Sequence, residues 1–333
     1  MPKPLLLQAF EGKNKTVPVW FMRQAGRYLP AYRQLRDKYS LDEMFRNPEM
    51  AADVTCLPLD ELELDAAIVF ADILTLPSLM GIEIHFDSEK GPIITKGIDI
   101  ENTNDITQAH YVEQTIKLVK ERLDGKLPLI GFAGSPFTVL TYLVEGGSSL
   151  HLNRMIKFIQ RSPELFDRWM KKLTDNTIIY LQRQIACGAD AVQLFDTWAG
   201  VLRPSDYARW VLPYVKKIFD TIDVPSIYYV KNCHHLLPLM DKTSADFLSV
   251  DQTVVLGHDP LLEKTKKGVQ GNLYNGLLYA DEATLRREVE DVLLGGSRHQ
   301  RYIFNLSHGV FPDVGVETLK RIVDQVHQFR WKN

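Results

Sequence analysis

The chain has 333 residues, 45% hydrophobic and 24% charged, ordinary proportions for a soluble globular protein and enough for a large core. A formal net charge of −3 argues against a general nucleic-acid binder, because neutralising phosphates takes a basic excess or a dense basic patch, so any anion site must be local. Three widely spaced cysteines, Cys56, Cys187 and Cys233, do not suggest a disulfide scaffold and suit a reducing compartment.

The start, MPKPLLLQAFEGKNKT, has too short an apolar run for a signal peptide or a spanning helix, which points to a cytoplasmic protein without a membrane partner. Next come short apolar runs rich in β-branched and aromatic residues, each ending in a polar or glycine-bearing turn. In chain order they are VPVWFM (17–22), AAIVFAD (66–72), LPLIGFAG (127–134), AVQLFDT (191–197), PSIYYVK (225–231), DFLSVD (246–251), GVQGN (268–272) and RYIFNLSHG (301–309). The segments between them read as helices. RSPELFDRWMKKLTDNTIIYLQRQIACG, for instance, opens on Ser162-Pro163-Glu164, keeps apolar residues at helical spacing, and reaches Gly188 where a C-cap falls. No linker or shift in composition marks a boundary, so residues 1–333 read as a single domain. Strands without polar alternation, separated by helices, predict a parallel sheet covered on both faces, and eight of them predict a (β/α)8 TIM-type barrel. A doubly wound open sheet is the rival, but no G-x-G-x-x-G follows the first run.

Active sites in such barrels lie at the C-terminal strand ends. Standing there are Arg23 and Arg27, Asp72, the segment GSPFTVLTYLVEGG, Asp196-Thr197, Lys231, Asp251, Gly271-Asn272 and Ser307-His308-Gly309. Chains turn at the surface at strand ends, which alone accounts for a good share of this polarity. Arg23 and Arg27 have the spacing of one helical face, yet like charges at that spacing repel, and Gly26 between them permits close backbone approach. An anion site fits better. Asp72 serves equally as a carboxylate at an apolar barrel mouth or as the N-cap of DILTLPSL. His308 reads as either a structural or a functional histidine, and Tyr142 sits in an apolar helix that otherwise reads as core.

The stretch PVWFMRQAGRYLPAYRQLR, with GFAGSPFTVLTYLVEGG at 131–147, resembles the two signature segments of the uroporphyrinogen decarboxylase family. AAIVFADILTLP, LFDTWAG at 194–200, VQGN at 269–272 and NLSHGVFPD at 305–313 extend the likeness nearly end to end in the same order. The resemblance implies a (β/α)8 homodimer that uses no metal or organic cofactor and removes carbon dioxide from the four acetate side chains of uroporphyrinogen III, giving coproporphyrinogen III in tetrapyrrole biosynthesis. A substrate with eight carboxylates explains fixed cations, since a guanidinium stays charged and binds carboxylate bidentately. Loss of carbon dioxide from a pyrrole acetate needs an electron sink, which forms when a ring carbon is protonated and the pyrrole becomes cationic. By resemblance Asp72 meets that charge and the pyrrole N–H groups, while Arg23 and Arg27 hold acetate or propionate groups and one of them, or a water it orients, delivers the proton. Tyr142, Thr197 and His308 match positions that hydrogen-bond the substrate, and the backbone of Arg23, Gln24, Ala25, Gly26 and Arg27 adds contacts.

The sequence departs from the family at Val250-Asp251-Gln252, where a Trp usually follows the Asp, at Leu273-Tyr274-Asn275, where Asp-Pro is usual, and at Lys231-Asn232-Cys233-His234-His235, which replaces a glycine-rich turn. The last cluster raises a rival. Corrinoid-related methyltransferases resemble this barrel family and bind zinc through a His-x-Cys unit and a distant Cys, but the order here is Cys-His-His and no cysteine follows Cys233. A non-catalytic tetrapyrrole-binding protein is a third reading, against which the intact set of Arg23, Arg27, Asp72, Tyr142, Thr197 and His308 stands.

Overall fold

The computed structural model describes residues 2–87, 91–94, 98–149 and 151–331, so Met1 and residues 332–333 of the expected domain lie outside the described residues. Its strands are β1 (Ala67–Ile68), β2 (His85–Asp87), β3 (Gly91–Ile93), β4 (Leu129–Gly134), β5 (Ala191–Asp196), β6 (Ser226–Val230), β7 (Phe247–Ser249), β8 (Gly268–Gln270) and β9 (Tyr302–Ile303). All but β2 and β3 join one parallel sheet in the order β1-β4-β5-β6-β7-β8-β9. Every residue of β4 and β6 is buried, the pattern produced by a sheet with both faces covered, and the uninterrupted apolar runs had predicted it.

The first expected strand, 17–22, is where sequence and structure differ. Only Val19 forms a bridge, parallel to Phe304, because Pro18 has no N–H and contributes only its carbonyl, which accepts from Phe304 N–H at 2.9 Å. On the other side Asp65 N–H donates to Val19 O at 2.9 Å, and Val19 N–H donates to the Asp65 carboxylate at 2.8 Å. His327, on the helix Val316–Gln328, lies 2.9 Å from that same carboxylate oxygen. This segment therefore fills the eighth position and joins β9 to the approach of β1, closing the barrel through a seam made partly of side chains.

The antiparallel pair β2–β3 was not expected. It docks through an Ile93–Gly147 bridge against the end of the helix Pro136–Glu145. The helix Pro163–Ala186 has Pro163 in its first turn as predicted, although Ser162 makes no side-chain capping bond. Gly188 lies two residues past its end with φ 112°, a conformation that L side chains rarely adopt.

The barrel interior is less apolar than its strands suggest. Trp20 Nε1 donates to Gln270 Oε1 at 3.0 Å, and Gln270 Nε2 donates to Gln193 Oε1 at 3.0 Å and Ser249 Oγ at 2.9 Å. These bonds tie the first segment to β5, β7 and β8, while the buried Gln193 Nε2 has no partner among the described residues. Below it, the helix Leu5–Phe10 closes the N-terminal mouth, burying Leu6, Ala9 and Phe10 and setting the Phe10 ring edge-on to Phe247 at 4.7 Å. The C-terminal mouth carries the loops described next.

Candidate active site

Helix formation begins only at Pro30, so residues 22–29 are a loop, and Arg23 and Arg27 do not share a helical face. The loop is pinned from inside. Met22 N–H donates to Asn305 Oδ1 at 3.0 Å, and Val310 N–H donates to Met22 O at 3.0 Å. Gln24 is fully buried: its Oε1 accepts from Phe21 N–H at 3.2 Å, and its Nε2 donates to Ala66 O at 3.1 Å. Its backbone is engaged as well, with N–H to Phe21 O at 2.9 Å and O accepting from Tyr28 O–H at 2.7 Å. Gln24 thus shapes the loop from within. Gly26 serves the same end, since a Cβ there would lie 3.0 Å from Arg23 O. Arg23 adopts φ 60°, an uncommon conformation for a residue with a Cβ, and its stem crosses Gly309, where a Cβ would come within 2.3 Å of Arg23 Cδ. Both arginine side chains are exposed, and neither has an ion pair among the described residues, which leaves two guanidiniums available to an external anion.

Asp72 follows β1 in the turn before the helix Thr75–Leu79. The capping alternative holds in part: Asp72 Oδ1 accepts from Leu74 N–H at 2.8 Å, and Asp72 N–H donates to Thr75 Oγ1 at 3.2 Å. No other hydrogen bond or ion pair reaches the carboxylate among the described residues. The side chain keeps some surface open to the mouth yet lies deep in the fold, and burial raises its pKa above the usual carboxylate value, opposed by the Leu74 N–H and then by the Arg23 cation.

Tyr142, half-buried on the helix Pro136–Glu145, sets its ring edge-on to Trp198 at 5.8 Å. Burial raises its phenol pKa, as does the Asp72 carboxylate, while Arg23 acts the other way. The three groups therefore lie within one another's fields. Thr197 is half-buried at the end of β5, presented by its neighbour Asp196, which turns inward. Asp196 accepts from Thr138 Oγ1 at 2.7 Å and from Tyr228 O–H at 2.9 Å, and burial pushes its carboxyl up to about 6.

His308 Nδ1 accepts from Gly309 N–H at 2.6 Å, which assigns the ring proton to Nε2. Burial, then the Arg23 and Lys231 cations, push its pKa down to about 3. A neutral donor results, suited to a substrate oxygen. An NMR titration is expected to show no His308 midpoint near the ordinary value of about 6.5. Because the folded pKa is depressed, this histidine's contribution to stability is full above about pH 6.5 and is lost as pH falls toward 3.

Two other polar groups of the rim, Asp251 and Asn272, are structural. Asp251 is fully buried and accepts from Asn232 N–H and Thr253 Oγ1, both at 2.5 Å. Asn272 Nδ2 donates to Asp251 O at 2.8 Å and Val254 O at 2.7 Å. These bonds build the loops after β6, β7 and β8. Cys233, His234 and His235 diverge: the sulfur lies 3.8 Å from Asp251 Oδ1, His234 Nε2 is 3.2 Å from Asp259 Oδ2, and His235 Nε2 is 2.8 Å from Leu202 O. Two grooves lie away from the mouth, one of about 520 Å³ at the strand starts beside Phe10, Pro225 and Asp246, and one of about 600 Å³ beside Leu35, Cys56 and Arg122. Neither gathers the rim residues, and chemistry in this fold belongs to the strand ends. The sequence places Lys231 at the fifth strand end without giving it a role, and it gives none to Trp198.

The fold is shared with a methyltransferase from Methanosarcina mazei, at a TM-score of 0.82 and 20% identity over 97% of both chains. A B12-independent methionine synthase from Shewanella is more distant, at a TM-score of 0.57 and 12% identity over 87% of this chain and 88% of the other. At such identities the likeness concerns fold alone. Sequence relatives are nearer. The protein named uroporphyrinogen decarboxylase in Thermodesulfovibrio yellowstonii is 41% identical over 99% of both chains, and the one in Carboxydothermus hydrogenoformans is 39% identical over 93% of this chain and 92% of the other. With the family model for uroporphyrinogen decarboxylase (URO-D) matching residues 1–329, the chain belongs to the uroporphyrinogen decarboxylase family.

Proposed function

We propose that the protein is a uroporphyrinogen decarboxylase that removes carbon dioxide from the four acetates of uroporphyrinogen III to give coproporphyrinogen III. The observation that carries this reading is Asp72, a deeply placed carboxylate with one oxygen held by Leu74 N–H and the other without a hydrogen-bond partner among the described residues. Burial makes its charge costly while the site is empty. A cation arising beside it relieves that cost, so the interaction strengthens as the protonated pyrrole forms, which is the condition for lowering a barrier. In the same reading the pyrrole N–H groups donate to Asp72, Arg23 and Arg27 take acetate or propionate groups, and Tyr142 O–H, Thr197 and His308 Nε2–H bond the substrate. Ala25, Gly26 and the rest of the loop backbone add contacts, with Gln24 holding that loop in place. A guanidinium is a poor acid, so a water oriented by Arg23 or Arg27 is the better proton source.

The working unit is proposed to be a cytoplasmic homodimer of single barrel domains with no resident metal or organic cofactor. The three free cysteines suit a reducing compartment, and among the described residues no helix is long and apolar enough to cross a membrane. The zinc-methyltransferase reading draws no support from Cys233, His234 and His235, whose side chains go to different partners.

Purified protein given uroporphyrinogen without oxygen is expected to release coproporphyrinogen through stepwise intermediates with no added metal. Failure to form any decarboxylated product would overturn the reading, and tight porphyrin binding without product would favour a non-catalytic carrier. Stoichiometric bound zinc would favour the methyltransferase.

A further inference from the structure

We propose that Lys231 is an additional substrate-binding cation, whose ammonium takes a peripheral carboxylate of the tetrapyrrole on the His308 side of the mouth. The inference rests on the decarboxylase reading above. Tyr229, on β6, sends its O–H across the barrel to Ser307 O at 2.9 Å, so its side chain faces the interior. Lys231 stands two residues on, one past the end of β6 at Val230, in the turn at the open end. Because Ser307 precedes His308, the Tyr229 bond also fixes the end of β6 beside that histidine.

Lys231 is built into place. The loop after β5 packs so closely on it that a Cβ on Gly200 would lie 1.8 Å from Lys231 O. The next residue, Asn232, is held at φ 55° by its N–H bond to Asp251 Oδ2 at 2.5 Å. The side chain is half-buried and has no ion pair or hydrogen bond among the described residues. Its charge nevertheless reaches the His308 ring, as does that of Arg23. A partly desolvated ammonium without a counter-ion is unfavourable alone and is relieved by an anionic ligand. His308 Nε2–H and the Lys231 ammonium thus offer one carboxylate a neutral and a charged donor.

Lys231→Met, Lys231→Arg and wild type are compared by anaerobic turnover of uroporphyrinogen and by equilibrium binding of uroporphyrin and coproporphyrin, the oxidised and unreactive forms. Lys231→Met is expected to raise KM and weaken uroporphyrin binding about tenfold, with kcat within about twofold and a melting temperature no lower than that of wild type, and Lys231→Arg is expected to restore most of the loss. Weakening toward both porphyrins identifies the bound group as a propionate, which both carry; weakening toward uroporphyrin alone identifies an acetate. Unchanged KM and affinity in folded Lys231→Met would overturn the proposal and leave the activity standing. If wild type binds porphyrin but forms no product, the activity reading falls, while the affinity loss still upholds the cation. Should Lys231→Met fail to fold, Lys231→Gln is read by the same measures.

Discussion

Asp72→Asn is expected to lower kcat by roughly 10²–10³-fold, to raise KM because an amide NH2 replaces the oxygen that accepts from the pyrrole N–H groups, and to melt at a higher temperature than wild type. Asparagine keeps the carbonyl oxygen that accepts from Leu74 N–H, so the turn before the helix Thr75–Leu79 survives. What disappears is the negative charge opposite the developing cation. The stability change follows from linkage. Burial raises the folded pKa above its ordinary 3.8, so the contribution of Asp72 to stability is full below about pH 3.8 and is lost as pH rises through the raised value. At neutral pH the ionised carboxylate is therefore a net cost to the free protein, and asparagine removes it. Steady-state kinetics with calorimetry at pH 7 test both halves. Near-normal turnover would remove Asp72 from the electrostatic role, and a lower melting temperature would contradict the assigned burial cost.

Gly200→Ala is expected to destabilise the protein by about 3 kcal/mol or more and to raise KM in whatever fraction folds. A Cβ there would meet Lys231 O at 1.8 Å, Lys231 C at 2.9 Å and Asn232 O at 3.0 Å, all backbone atoms that no rotamer change moves aside. The loops after β5 and β6 must then separate, carrying Lys231 away from His308. Gly315→Ala is the control, because nothing lies within 4 Å of the place its methyl would take and its φ is −72°. As that residue is an N-cap, the expected cost is below about 1 kcal/mol. Equal melting temperatures for the two variants would refute the close packing.

Most of the barrel was legible because runs such as LPLIGFAG and PSIYYVK are apolar on both faces and end at turns, a pattern few other arrangements produce. The segment 17–22 misled because its apolarity reflects burial, whereas ladder pairing requires N–H groups that Pro18 lacks. The pair β2–β3 was hidden for the opposite reason: in β2, His85 and Asp87 are exposed, and no apolar alternation announces the strand. The Gln193–Gln270 pairing joins residues far apart in the chain, and no local signal marks it. At the site, Arg23, Asp72 and His308 stood out as polar groups ending apolar runs, but the same rule drew attention to Asp251, which the fold uses as a clamp. The inward turn of Gln24 and the unpaired state of Lys231 depend on tertiary neighbours, and spacing alone does not reveal them.

The seam at Val19 bears on how the molecule forms during synthesis. Its partners are Phe304 on one side and Asp65 on the other, and the latter's carboxylate also meets His327. Neighbouring strands from β4 to β9 can zip as they emerge from the ribosome, each beside the one before it. The first segment must wait, with Trp20 and Phe21 lacking their final cover, until nearly the whole chain has been made. Ring closure is thus a long-range contact with a large loop-closure cost, which places it among the last folding events and makes the waiting open sheet the species most exposed to aggregation and most in need of chaperone protection.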